Sequence, residues 1–262
     1  MQDTSSTSTL APRWGVREAV IAWIASVFVS IFFVQGVLSI GNFTARTPVR
    51  PGGYIGRAVA QRANGDEIVN NSLPLIWQMI SLVPGWIVLL GVAWYVAGVL
   101  GLDRRGWHIG KTLSDIPLGF ASGIFIQIPV LVMVGILMSA LLEDFTPSGR
   151  AQTLVDGASA SPIAAVALVL GVAVGAPIVE ELFYRGIVQG ALVERFGWVG
   201  VFMASIIFGA VHLSVIEFFP LTVVGLGFGL LAYGTGRLLP AIIAHMTFNA
   251  YTLVFLFASS SG

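Results

Sequence analysis

The sequence contains no cysteine, which excludes disulfides, thiolate metal sites and cysteine nucleophiles. Charge is almost as scarce. Asp, Glu, Lys and Arg make up 10% of the 262 residues, against about 25% in an ordinary soluble protein. So few charges cannot coat a water-facing surface, and a soluble globular domain is excluded. Acidic and basic residues cancel, thirteen against thirteen, so the basic footprint of a nucleic-acid-binding protein is missing as well. What the chain does have is apolar side chains, 56% of the total. They must cover the outside of the fold as well as its inside, and the solvent they imply is lipid. All the basic residues except Lys111 are Arg, a bias that points to a GC-rich bacterial genome and hence to a bacterial cell membrane.

Apolar runs long enough to cross roughly 30 Å of hydrocarbon need about 20 helical residues. They occur near Val16–Ile40, Leu75–Leu100, Pro117–Leu142, Ser161–Val193, Val199–Leu213, Phe219–Gly236 and Leu238–Phe257. The pattern predicts an all-α polytopic bundle of about seven spans, six to eight. The fifth run is short; the fourth is long and has Pro177 in its middle, which predicts a bend or a helix pair there. The first run is too long for a signal-peptide core. The reading divides the chain into an N-terminal tail (1–15), a set of N-terminal transmembrane helices and loops (16–157) and a transmembrane core (158–262). The connection from Gly41 to Ser72, with Pro48, Pro51, an Asn64-Gly65 turn signal and four arginines, reads as irregular or interfacial. Trp14, Trp107 and Trp198 end apolar runs, as interfacial anchors do. Gly119/Gly123, Gly171/Gly175, Gly186/Gly190 and Gly225/Gly229 each place two glycines on one helix face, where they let backbones approach closely. The Gly-Leu-Gly-Phe-Gly stretch at 225–229 follows no strand and lies within a span, so it reads as packing and not as a nucleotide loop. Basic residues in short loops divide seven to five in favour of a cytoplasmic N-terminus.

An ionised side chain at mid-membrane costs on the order of 3 kcal/mol, so each one inside a span is a functional candidate. The fourth run carries Glu180, Glu181 and Arg185 after a long uncharged stretch. Glu181 and Arg185 are four apart in the favourable order and can pair along one face. Glu180 points about 100° away and is left to face the bundle interior, where a carboxylate can serve as general base. His212 closes one span, while His245 and Asn249 share a face of another. His108, beside Trp107, has no such setting and reads as solvated. A carboxylate, two imidazoles and an amide can activate water against a peptide bond and hold the resulting oxyanion. Alternatively, Glu180, His212 and His245 could hold a zinc ion with an open position, although the His-Glu-x-x-His helix is absent.

These residues fall into three ordered motifs: EELFYR at Glu180–Arg185, FGAVH at Phe208–His212 and HMTFN at His245–Asn249. The set resembles the Glu-Glu-x-x-x-Arg, Phe-x-x-x-His and His-x-x-x-Asn motifs of the CAAX protease and bacteriocin-processing (CPBP, Abi) intramembrane proteases, over roughly residues 160 to 257. The resemblance implies an intramembrane endopeptidase in which Glu180 and His212 activate the hydrolytic water. His245 and Asn249 would form the oxyanion hole, with Glu181 and Arg185 in support. It implies catalysis without a bound metal, with zinc as the alternative. Eukaryotic relatives remove the last three residues of prenylated CAAX proteins, so the substrates expected are membrane-associated or lipidated peptides, although a bacterial chain would act on targets of its own. Two rival readings are a non-catalytic membrane adaptor or bacteriocin-immunity protein that keeps the cluster as a binding site, and a transporter using Glu and His as a proton relay.

Overall fold

The computed structural model describes residues 16–40, 75–98, 113–141, 155, 158 and 161–260. The tail, the Gly41–Ser72 connection, Trp14, Trp107 and His108 lie outside the described residues. Within them the chain forms seven helices and no strand: α1 (Val16–Ile40), α2 (Leu75–Gly98), α3 (Asp115–Leu141), α4 (Pro162–Phe196), α5 (Val199–Ala210), α6 (Val215–Thr235) and α7 (Leu239–Ser260). Each falls on a predicted apolar run. Among the described residues four stretches are long and apolar enough to cross a membrane, Gln78–Tyr95, Pro162–Phe196, Glu217–Thr235 and Leu239–Ala258. α5 has 12 residues, roughly 18 Å of rise, and is too short to span alone. The outer surface is apolar, with Phe32, Trp94, Phe125 and Val254 all exposed, as lipid contact requires. Trp198 projects outward from the α4–α5 turn, where an interfacial anchor is expected.

Where the sequence predicts a bend or a helix pair, α4 is one continuous helical stretch of 35 residues with two stretches of wider π turns, Val169–Gly175 and Glu181–Gln189. The first lies just before Pro177. Proline has no N–H to donate, and its ring crowds the carbonyl four residues back, so the ladder loosens into wider turns instead of breaking. The second stretch carries Glu181 and Arg185, and π turns of this kind recur at functional sites.

Small residues set the helix spacings. α3 packs on α7 through Gly119 and Gly123, where a Cβ at Gly123 would lie 2.5 Å from the Ala244 carbonyl oxygen. Gly123→Val should therefore destabilise the bundle by about 1–3 kcal/mol, read as a lower midpoint of thermal unfolding in detergent; an unchanged midpoint would mean that α3 and α7 can separate freely. Gly171 and Gly175 likewise face Met79 and Trp86 of α2. Gly190 faces open space, so the Gly186/Gly190 pair does not serve as a contact in the way its spacing suggested.

Two polar devices fix the helix ends. Ser214 caps α6, its hydroxyl accepting from the Glu217 N–H at 3.2 Å, and Leu213 before it takes a left-handed φ of 53°, the conformation that turns the chain sharply after His212. Arg237 donates from Nε and Nη2 to Asp115 Oδ1 at 3.0 and 2.8 Å, tying the start of α3 to the α6–α7 turn. The Asp115 side chain is fully buried, so this pair is a staple between the two helix ends.

Candidate active site

The charged residues of α4 meet α6 and α7 in the bundle interior. Glu181 and Arg185 pair as their spacing predicted, with Nε 3.1 Å from Oε2 and both side chains at most 1% exposed. Such a pair is tolerated because each charge has further partners. The Arg185 Nη2 donates to the Gly225 carbonyl at 3.1 Å, and its guanidinium lies 4.4 Å from the centre of the Phe208 ring, a cation–π contact.

The other oxygen of Glu181 reaches across 64 positions of sequence to His245, whose Nδ1 donates to Oε1 at 2.9 Å. Sequence spacing could not show this contact, because it depends on how α7 is rotated against α4. The imidazole is clamped further by Phe228, stacked at 4.7 Å and 25°, and by the edge-on Phe208 at 5.9 Å. With Nδ1 committed, Nε2 is the nitrogen turned toward Glu180, whose Oε2 lies 4.0 Å away. Glu180 itself is 23% exposed along its side chain, unlike the sealed Glu181.

His212 is oriented by its own helix end. Its Nδ1 donates to the Phe208 carbonyl at 2.8 Å and its ring meets the Phe208 ring edge at 5.1 Å, so this histidine too presents Nε2 outward. Asn249, one turn beyond His245 on α7, donates from Nδ2 to the Val172 carbonyl at 2.8 Å, in the first π stretch of α4. An amide nitrogen carries two hydrogens, and one remains for another acceptor. Phe208 contacts Arg185, His212 and His245 at once, which makes it the wall common to all three motifs. Its role in the sequence motif is therefore shape and electrostatic packing, not chemistry.

Among the described residues no three His, Asp or Glu side chains converge as a metal would require. Glu180, His212 and His245 are not gathered into the three-ligand set that their residue types would allow. Between α1, α4 and α5 lies an apolar cavity of about 270 Å³, lined by residues that include Trp23, Tyr184 and Val211. It opens beside the chain segment that carries His212.

The sequence profile of the family described as "Type II CAAX prenyl endopeptidase Rce1-like" matches residues 162–251, the segment that holds all three motifs. "Putative membrane peptidase YdiL" of Bacillus subtilis (strain 168) is 25% identical over 181 residues, 68% of this chain and 70% of that one. No solved structure matches the chain. The segment that carries all three motifs in this integral membrane chain is thus similar to the Rce1-like CAAX prenyl endopeptidase family.

Proposed function

We propose that the chain is an intramembrane endopeptidase acting on membrane-associated or lipidated peptides, with Glu180 as the general base. The observation that carries this reading is the fixed imidazole of His245, held by Glu181 at 2.9 Å on one nitrogen and facing Glu180 at 4.0 Å on the other. That gap is too long for a direct hydrogen bond and suits one water touching both groups.

In the proposed reaction Glu180, with His212, removes a proton from this water as its oxygen attacks the peptide carbonyl. The carbonyl oxygen, now an oxyanion, accepts hydrogen bonds from His245 Nε2–H and the remaining Asn249 Nδ2–H. An imidazolium at His245 would have Glu181 against one nitrogen and Glu180 facing the other, so the positive charge needed beside the oxyanion is balanced within the cluster. Collapse of the intermediate breaks the C–N bond, and the proton held by Glu180 passes to the departing amine. Arg185 holds Glu181, and Glu181 holds His245, which makes both positioning residues.

The test is cleavage of a lipidated peptide by purified protein in detergent, before and after treatment with a strong chelator, with elemental analysis of the active fraction. Turnover that survives chelation with no stoichiometric metal is the expected result. Zinc lost in step with activity would overturn the metal-free mechanism, and absence of cleavage for any membrane peptide would overturn the protease reading.

A further inference from the structure

Below Arg185 the same face of α4 carries a third buried polar side chain, Gln189, which none of the three motifs includes. Its Nε2 donates to the Gly229 carbonyl at 3.0 Å, four residues along α6 from Gly225, which accepts from Arg185 at 3.1 Å. The two bonds are successive rungs between the helices, each using the second lone pair of a carbonyl in a helix interior. The Gln189 amide packs close against α6 at a glycine, since a Cβ at Gly229 would lie 2.7 Å from Gln189 Oε1, and one at Gly225 would press at 3.0 Å on the Phe208 ring.

Packing alone does not account for the amide. Oε1 of Gln189 has no hydrogen-bond partner, so burying this group leaves an acceptor unmet, whereas an apolar side chain of the same length would fill the space without that cost. What the amide adds is register. A slip of α4 past α6 by one residue, about 1.5 Å of rise, would break both rungs together and swing Arg185 and Glu181 away from His245.

We propose that Gln189 is a positioning residue, which fixes the rotation of α4 against α6 and thereby the aim of Arg185 and Glu181 at His245. The activity part of this inference rests on the protease reading above; the geometric part does not. Gln189→Met, matched in length and volume, should lower kcat roughly ten- to a hundredfold and leave KM within about twofold. Combined with Arg185→Lys the loss should be smaller than the product of the two single losses, because both act through one contact. The chain has no native cysteine, so cysteines placed at the exposed Glu194 and Tyr233 can carry spin labels that report the α4–α6 distance, which should shift or broaden in Gln189→Met. If that variant does not fold, Gly229→Ala attacks the same rung from α6 and should give the same kcat loss and label response. Unchanged kcat, or fully multiplicative losses with unchanged label distances, would overturn the proposal. A native chain that cleaves nothing while the labels still respond would overturn the protease reading and leave the register role standing.

Discussion

Glu180→Ala is expected to lower peptide turnover by roughly 10²–10⁴-fold, the usual contribution of a positioned general base, while leaving the fold intact. Both halves follow from geometry. The Glu180 carboxylate lies 4.0 Å from His245 Nε2, placed to share a water but joined to it by no direct bond, and it retains partial exposure, so its removal leaves no buried partner charge exposed to an apolar interior. Glu180→Gln keeps the shape and loses the ability to take a proton, so it should be as inactive as the alanine variant. Steady-state cleavage kinetics and thermal unfolding of the same preparations separate the two effects. Activity of Glu180→Gln near the native level would mean that the carboxylate is a binding group and that proton transfer lies elsewhere.

Glu181 should behave in the opposite way, with a large loss of stability accompanying the loss of activity. Its two oxygens face Arg185 Nε at 3.1 Å and His245 Nδ1 at 2.9 Å, and its side chain is fully buried. Glu181→Ala leaves a buried guanidinium without its carboxylate, and breaking a sealed pair from one side costs about 3–5 kcal/mol. It also frees the His245 ring to turn, so turnover should fall in whatever fraction remains folded. Removing both partners, as in Glu181→Leu with Arg185→Met, eliminates the uncompensated charge, and the double variant should be less destabilised than the sum of the single ones. Unfolding in detergent followed by a spectroscopic probe gives these free energies. Single variants within about 0.5 kcal/mol of the native chain, the range of ordinary surface substitutions, would show that the cluster is solvated and not sealed.

The contrast between two adjacent glutamates marks the boundary of what could be read from the sequence. The positions of the seven helices among the described residues were legible, because an apolar run in a chain with so little charge can satisfy its backbone only as a helix in lipid. The Glu181–Arg185 pair was legible for a similar reason, since four-residue spacing on a helix is a local property. The link from Glu181 to His245 was not, because it depends on the rotation of α7 against α4. Nor was Gln189, whose meaning lies in a glycine carbonyl of another helix, or the Asp115–Arg237 staple, whose partners stand 122 positions apart. The widened turns of α4 left one trace, Pro177, whose missing donor is absorbed over a stretch of wider turns. Asn249 falls on α7 as expected, whereas His212 lies in the turn just past α5, and each has one polar group committed to a backbone carbonyl.

The most direct test of the central claim is mass spectrometry of membrane-protein termini in cells carrying either the native chain or Glu180→Ala at equal abundance. The expected result is a defined set of new termini, close to the ends of membrane segments or lipidated tails, that appear with the native chain and vanish with the variant. The same termini in both strains, or none that depends on the native chain, would contradict it.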